Sequence, residues 1–216
     1  KLQGILSYVR LHTPWNIHLV ENRIAEQRLG DLRAWGVTGV IVARMPDSVR
    51  TVAKAGVPTV VMDSPTLYAE HLPHASYVTS DSESIGHAGA KAFLKQGFRH
   101  FGYVADTGDW DWSVQRCRAF RAALEKAGYP CAVYGGLAAR EREDWGIDQK
   151  RMAHWLAGLP KPTALLAARD GRARQVLETC QLAGLDVPGD IALLGVDNEE
   201  ILCENTVPTL SSIQPD

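Results

Sequence analysis

Five short, uninterrupted apolar runs alternate with amphipathic segments along this chain of 216 residues, and this alternation most constrains its fold. The runs are continuous, without polar residues at every second position, which favours parallel strands that are buried on both faces. They are residues 39–43 (GVIVA), 59–62 (TVVM), 101–105 (FGYVA), 164–168 (ALLAA) and 191–196 (IALLGV). Residues 16–21 (NIHLVE) alternate more, and we interpret them as a candidate edge strand.

Segments with the spacing of amphipathic helices lie between these apolar runs. Apolar residues recur with the spacing of an amphipathic helix in segments that begin at Ile85, Val114 and Ala173, and a fourth helix is predicted over 145–156. The first helix has its predicted N-cap at Ser80-Asp81-Ser82. Glycines stand where helix C-termini are expected, at Gly97, Gly128 and Gly184. Repetition of strand and helix predicts an α/β fold with doubly wound parallel sheets.

Charge and composition exclude several classes of protein. The formal charge of -2, from 23 basic and 25 acidic residues, argues against a nucleic-acid surface on this chain. An apolar content of 45% argues against disorder. No apolar run is long enough to span a bilayer, and the first residues resemble neither a signal nor a transit peptide. Four scattered cysteines without a C-x-x-C pair predict free thiols in a reducing compartment, and hence a cytoplasmic protein.

Polar residues follow almost every predicted strand. In open parallel sheets, ligands bind beyond the carboxyl ends of the strands, so these residues are candidates for a binding site. Helix capping is the alternative explanation; it suits Asp81 and remains open for Asp170, whereas no clear long helix follows Asp197. The residues are Arg44, Asp63, Asp106, Arg169, Asp170, Asp197 and Asn198.

A second cluster spans residues 106–116 (DTGDWDWSVQR), with three acids, two tryptophans and an arginine. An indole can pack on the CH face of a sugar, while carboxylates and a guanidinium pair with its hydroxyls. Packing at an interface between lobes explains Trp110 or Trp112 equally well when each is taken alone. The sequence has no dinucleotide-binding glycine motif, Walker A motif or nucleophile elbow, so we expect no enzyme, cofactor or metal site.

Several motifs together resemble the effector-binding core of bacterial regulators related to the lac repressor and to periplasmic sugar-binding proteins. They are 77–86 (YVTSDSESIG), 97–101 (GFRHF), Ser113-x-x-Arg116, 162–164 (PTA), 187–191 (VPGDI), 195–198 (GVDN) and 208–213 (PTLSSI). Residues 155–160, 170–174 and 195–200 are most similar to xylose-operon regulators, in which an AraC-type helix-turn-helix domain follows the sugar-binding core. Arg169 departs from the asparagine that lac-repressor relatives usually have there.

The resemblance implies a two-lobed, type I periplasmic-binding-protein-like fold with a doubly wound parallel sheet in each lobe. It places an incomplete N-terminal lobe at 1–105 and the C-terminal lobe at 106–216; the first strand and the C-terminal part of the first lobe are expected outside this chain. The implied ligand-binding residues are Asp197 and Asp170 as acceptors, Arg116 as donor, Trp112 as a stacking surface, and Asp63. Gln214 lies one place from a glutamine that some sugar binders use.

The function implied by the resemblance is sugar sensing by a transcription regulator. A xylose-like monosaccharide would close the lobes and reposition DNA-binding domains of a homodimer, with DNA contacted only through a domain outside this chain. The alternative is a periplasmic sugar-binding protein of a transporter; a signal peptide upstream would favour it, and a helix-turn-helix downstream would favour the regulator. An α/β enzyme is disfavoured by the missing phosphate loop and nucleophile motif.

Overall fold

The computed structural model describes residues 2–12, 14–20, 32–42, 49–62, 68–108, 110–135 and 145–215. The chain divides into two compact units, Lys1–Val78 and Thr79–Asp216. Each unit contains one sheet whose described strand pairs are all parallel, which confirms the predicted α/β class. None of the described helices is long and apolar enough to cross a membrane.

The first unit contains a three-stranded sheet in the order β1-β2-β3. Its described elements are α1 (Leu2–Leu11), β1 (Val40–Val42), α2 (Val49–Ala55), β2 (Thr59–Val61) and β3 (Ser76–Tyr77). Val42, Val52 and Val61 are almost completely buried and form the centre of its core. Residues 16–20 are not in a strand, so the predicted edge strand is wrong over its described part.

The second unit contains a five-stranded sheet in the order β5-β4-β6-β7-β8. Its helices alternate with its strands in the chain, as the sequence predicts for a doubly wound sheet. The elements are α3 (Ser82–Lys95), β4 (His100–Val104), α4 (Asp111–Lys126), β5 (Cys131–Tyr134), α5 (Trp145–Ala157), β6 (Thr163–Ala167), α6 (Asp170–Leu182), β7 (Ile191–Val196), α7 (Glu200–Glu204) and β8 (Ser211–Ile213).

The central strands of this sheet are buried on both faces, which explains their continuous apolar sequences. Along β6, Ala164 and Leu166 contribute to one core, whereas Leu165 and Ala167 contribute to the other. This alternation follows from the period of two in a strand. Helices α3 and α4 cover one face, and α5 and α6 cover the other.

The two compact units divide between Val78 and Thr79, and the predicted lobe boundary between Ala105 and Asp106 stays a prediction. Strand β4 pairs with β5 and β6, and α3 packs on α4, so both elements belong to the second unit. The contact between α3 and α4 is close because Gly86 has no side chain: an added Cβ would lie 2.5 Å from the backbone oxygen of Arg116. The second unit also holds Ser80, Ala168 and Asp197, which contact Arg116.

Local signals from the sequence are confirmed at several helix ends. Asp81 caps α3, since its carboxylate accepts a hydrogen bond from the Ser84 amide at 2.9 Å. The three predicted C-terminal glycines have positive φ angles, at Gly97, Gly128 and Gly184. The predicted apolar stripe of α4 is wrong at Val114, which is exposed; the face of α4 that is buried includes Ser113 and Arg116 instead.

Candidate functional site

The carboxyl ends of neighbouring strands bring several charged side chains to one edge of the five-stranded sheet. Because β4, β6 and β7 are adjacent and parallel, their carboxyl ends lie side by side, where open α/β sheets bind ligands. We call this group the carboxyl-edge cluster. It consists of Asp106 after β4, Arg169 and Asp170 after β6, Asp197 after β7, and Arg116 from α4.

Arg116 is the buried cation of the cluster. It donates from Nη1 to the Ala168 carbonyl at 2.5 Å and from Nη2 to the Ser80 hydroxyl at 3.3 Å, and Nη2 lies 3.8 Å from an Asp197 carboxylate oxygen. Burial lowers the pKa of Arg116, while the negative charge of Asp197 acts in the opposite direction. The Nε atom is buried without a hydrogen-bond partner among the described residues, so the guanidinium retains unused donor capacity.

Arg169 and Asp106 form a two-pronged ion pair. Arg169 donates from Nε to Oδ2 at 2.7 Å and from Nη2 to Oδ1 at 3.4 Å, and the Thr107 amide donates to Oδ1 at 2.8 Å. Both Asp106 oxygens are therefore occupied within the protein. Asp106 is buried, whereas 39% of the Arg169 side chain is exposed, so Arg169 is the partner that the pair presents to solvent.

Asp170 is a buried acceptor at the start of α6. It is 0% exposed; its Oδ2 accepts from the Glu199 amide at 2.7 Å and its Oδ1 from the Ser212 hydroxyl at 2.6 Å. Each carboxylate oxygen of Asp170 thus accepts a hydrogen bond from a protein group. In this structure Asp170 ties α6 to the loop after β7 and to β8, and its contact with ligand stays a prediction.

The backbone after β7 has an unusual conformation that presents Asp197. The φ angles of Asp197 and Asn198 are 104° and 49°, in the region that residues other than glycine seldom adopt. β8 holds this turn, because the Asp197 amide donates to the Ile213 carbonyl at 3.0 Å and the Asn198 amide to the Ser212 hydroxyl at 3.0 Å. Strained backbone of this kind is concentrated at functional sites, and here it leaves the Asp197 side chain 38% exposed.

Gln214 lies just after β8 and contacts the same turn. Its Oε1 accepts a hydrogen bond from the Asn198 side-chain amide at 3.0 Å. The Gln214 Nε2 group donates to the Pro215 carbonyl at 3.1 Å, and both the Asn198 and Gln214 side chains are exposed to solvent. The structure thus brings Gln214, which lies outside the five predicted site residues, into contact with the turn that carries Asp197.

Trp112 lies beside Arg116, and Trp110 stacks on Trp112. The ring centroids of Trp110 and Trp112 are 6.5 Å apart with an angle of 16° between their planes, and the Arg116 guanidinium carbon lies 4.9 Å from the Trp112 centroid. A guanidinium over an aromatic face is a favourable contact. Trp112 also packs against the apolar core, so part of its surface is already covered by protein groups. Stacking of a ligand on Trp112 stays a prediction.

Four of the five predicted site residues lie in the described part of the chain, and Asp63 lies outside it. Arg116, Asp197 and Trp112 are brought together, while Asp170 supports the neighbouring turn. Sequence reasoning gave no role in the site to three serines that bond to the carboxyl-edge cluster, because serine is equally common in helix caps and turns. These are Ser80, Ser113 and Ser212.

The carboxyl-edge cluster offers hydrogen-bond acceptors and donors, and Trp112 beside it adds an aromatic surface. This combination suits a polyhydroxylated ligand. Arg116 lies near Asp197, and Arg169 pairs with Asp106, so each guanidinium has a neighbouring carboxylate. Within the described ranges, no group of three or more His, Cys, Asp or Glu side chains could hold a metal ion. The arrangement therefore favours recognition of a ligand with little net charge.

A protein-family model described as a periplasmic binding protein-like domain matches residues 90–216. The match begins within α3 and includes every member of the carboxyl-edge cluster. Its range covers more than half of the chain, and it agrees with the parallel sheet seen in the second unit.

Xylose operon regulatory proteins are among the most similar curated relatives. The protein from Haemophilus influenzae is 28% identical over 172 residues, which cover 78% of this chain and 44% of the relative. The protein from Escherichia coli K12 is 27% identical over 216 residues, which cover 98% of this chain and 54% of the relative. The chain thus spans about half the length of the curated relatives it matches.

Solved structures of transcription regulators also match this chain over most of its length. The structure of the xylose-binding transcription activator xylR matches with a TM-score of 0.75 and 28% identity, over 99% of this chain and 54% of that one. A complex of the transcriptional regulator CelR with cellobiose matches with a TM-score of 0.67 and 24% identity, over 89% of this chain and 59% of that one, and supports the fold alone. The predicted resemblance to xylose-operon regulators is confirmed.

Proposed function

This chain belongs to the periplasmic binding protein-like domain family, and we propose that it is the sugar-sensing, effector-binding part of a bacterial transcription regulator. The proposed effector is xylose or a related monosaccharide. The observation that carries the proposal is the carboxyl-edge cluster, where Arg116 and Asp197 meet beside Trp112. The xylose operon regulatory proteins named above support both the regulatory role and the sugar.

Asp197 is the proposed acceptor for sugar hydroxyls, because it is the exposed carboxylate of the cluster. Arg116 is the proposed donor, with bonds to Ala168 and Ser80 that fix its guanidinium before the ligand arrives. Donors and acceptors held in place in this way lower the entropic cost of binding. Trp112 supports Arg116 and offers the remainder of its ring to the sugar.

Asp170 and Asp63 were both predicted to contact the ligand, and we assign them different roles. Asp170 acts as a positioning residue, because its bonds to the Glu199 amide and the Ser212 hydroxyl hold the turn that carries Asp197. Asp63, outside the described residues, stays a predicted ligand contact. Lobe closure on binding also stays a proposal, supported by the family resemblance.

The role of the whole protein belongs to the same proposal. We also propose contact with DNA through another part of the protein, a homodimeric assembly, a cytoplasmic location and the absence of catalysis. Relatives that are xylose operon regulatory proteins support the regulatory part of this proposal. The dimer and the location rest on the family resemblance. The formal charge of -2 is consistent with DNA contact outside the present chain. The same relatives favour a regulator over the sugar-binding component of a transporter.

Isothermal titration calorimetry of the purified protein tests the sugar assignment. The panel consists of D-xylose, other pentoses, hexoses and one sugar phosphate as a charged comparison. We expect saturable binding of one or more neutral monosaccharides and much weaker binding of the phosphate, because both guanidinium groups already face carboxylates. If no sugar of the panel gives a binding isotherm, the assignment is wrong.

A further inference from the structure

A buried ionic network adjoins the carboxyl-edge cluster, and the contacts proposed for the effector do not use it. Arg172 on α6 is 0% exposed and Asp148 on α5 is 2% exposed. Arg172 donates from Nη1 to Asp148 Oδ2 at 2.5 Å and to Gln175 Oε1 at 2.8 Å. The Tyr134 hydroxyl, at the end of β5, donates to Asp148 Oδ1 at 2.7 Å, and the Arg172 guanidinium carbon lies 5.7 Å from the Tyr134 ring centroid.

Stability alone is a poor explanation for this network. Taking an arginine and an aspartate out of water carries a large desolvation penalty, and apolar residues of similar volume often stabilise a protein equally well. On α5, Asp148 lies on the same buried face as Met152 and Leu156, which already form an apolar core. Burial also raises the pKa of Tyr134, as does its bond to Asp148, so the hydroxyl remains a protonated donor.

The network holds the residue that precedes Asp106. Arg172 donates from Nε to the Ala105 carbonyl at 3.0 Å, and the Ala105 amide donates to the Tyr134 carbonyl at 2.9 Å. Both backbone groups of Ala105 are therefore bound to members of the network. Asp106 in turn pairs with Arg169, which is the N-cap residue of the helix that carries Arg172.

These contacts form a closed path from α6 through Ala105 and Asp106 back to α6. A small shift of Ala105 would move the Asp106 carboxylate, and with it the Arg169 guanidinium that the pair presents to solvent. Residues that support ligand contacts in this way usually act by locking the geometry of those contacts.

We propose that Arg172, Asp148 and Tyr134 are positioning residues for effector binding, which orient Arg169 as a further contact for the ligand. This inference rests on the proposed function of the carboxyl-edge cluster. Arg172 and Asp148 themselves do not touch the effector; they hold Ala105 so that the Asp106–Arg169 pair is in place before binding. Their loss lowers affinity because the ligand then has to order this pair itself.

The decisive variant is the double substitution Arg172→Met with Asp148→Leu, because replacing both partners of a buried ion pair by apolar residues often preserves stability. We expect it to fold and to raise the Kd for the best monosaccharide by about 10- to 100-fold, the range seen when supporting partners of metal ligands are removed. Tyr134→Phe keeps the ring and removes the bond to Asp148. It should weaken binding by about two- to tenfold, and it serves as the test if the double variant does not fold.

Met152→Ala is the matched control, because Met152 lies one turn after Asp148 on the same buried face of α5. It should lower the Tm and leave the Kd unchanged. A second readout needs no ligand: hydrogen exchange of the Ala105 amide, measured by NMR, should accelerate in the network variants. The Ala168 amide, bonded to the Val104 carbonyl at 2.9 Å, is the internal reference and should not change.

The outcomes separate this inference from the proposed function. Weaker binding together with faster exchange at Ala105 supports the positioning role, whereas an unchanged Kd or unchanged exchange overturns it. If the unsubstituted protein binds no sugar, the proposed function fails. In that case the exchange measurement still decides whether the network holds Ala105. Faster exchange in the network variants then shows that the network holds this residue, whereas its role in ligand positioning is rejected.

Discussion

Asp197→Asn removes one negative charge from the carboxyl-edge cluster and leaves the shape of the side chain nearly unchanged. The Asp197 carboxylate lies 3.8 Å from the Arg116 guanidinium, a separation worth about 1 kcal/mol in water and about 4 kcal/mol at an effective dielectric constant of 20. Because 38% of the Asp197 side chain is exposed, screening by solvent favours the lower value. Asparagine also tolerates the φ of 104°, so we expect a loss of about 1 kcal/mol or less in the free energy of unfolding.

The effect of Asp197→Asn on binding should be much larger. A hydrogen bond from a sugar hydroxyl to a carboxylate contributes about 1.5–3 kcal/mol, and every 1.4 kcal/mol is a factor of about ten in Kd. We therefore expect the Kd to rise by about 10- to 150-fold while the fold is retained. Titration calorimetry with the best-binding monosaccharide measures the affinity, and urea unfolding of the same samples measures the stability.

Glu200→Gln is the matched control, since it is the same kind of charge removal on an exposed side chain of α7. It should leave both the Kd and the stability unchanged. If Asp197→Asn binds the sugar as tightly as the unsubstituted protein, Asp197 does not accept a hydroxyl. If both variants weaken binding equally, the effect comes from overall charge and the assignment of Asp197 fails as well.

Three further predictions concern the support of the site. Gly86→Ala places a Cβ 2.5 Å from the backbone of α4 and should lower the free energy of unfolding, measured in urea, by about 1–3 kcal/mol. Gly158→Ala is its control and should change this free energy little, because the added Cβ comes no closer than 3.6 Å to its neighbours. Hydrogen bonds from Ser84 lower the pKa of Asp81 in the folded state. The stability that this carboxylate contributes is therefore present above the ordinary aspartate pKa and is lost as the pH falls through the lowered value. Asp81→Asn should reduce the loss of Tm below about pH 4, and an unchanged acid dependence of the Tm contradicts this. Burial raises the pKa of Cys180 and Cys203 to about 11, so both should resist a thiol reagent at pH 8 until the protein is unfolded, and rapid labelling of the folded protein would refute their burial.

The strands that could be predicted are those whose burial produces a continuous apolar sequence. Residues 191–196 coincide with β7, which lies between β6 and β8 and is covered on both faces. The strands β5 and β8 were missed because they lie at the edges of the sheet, where the side chains of Val133 and Ser211 are exposed. An edge strand therefore lacks the apolar run on which the prediction depends.

The candidate site could be predicted only in part, because its residues interrupt the patterns that reveal structure. Motif resemblance identified Arg116, and both the resemblance and the position after a strand identified Asp197; the structure places the two residues near each other. The burial of Asp170 depends on Glu199 and Ser212, which are distant in the sequence, so no local pattern could indicate it. Arg172 and Asp148 did leave a signal, since each is a charged residue on the buried face of an amphipathic helix.

Effector binding at the carboxyl edge is tested most directly by a crystal structure of the protein grown with saturating D-xylose, or with the monosaccharide that binds best in calorimetry. We expect a sugar ring whose hydroxyl oxygens lie within about 3.2 Å of the Asp197 carboxylate and the Arg116 guanidinium. A sugar bound at another place, with both of these side chains free of ligand, would contradict the proposed site.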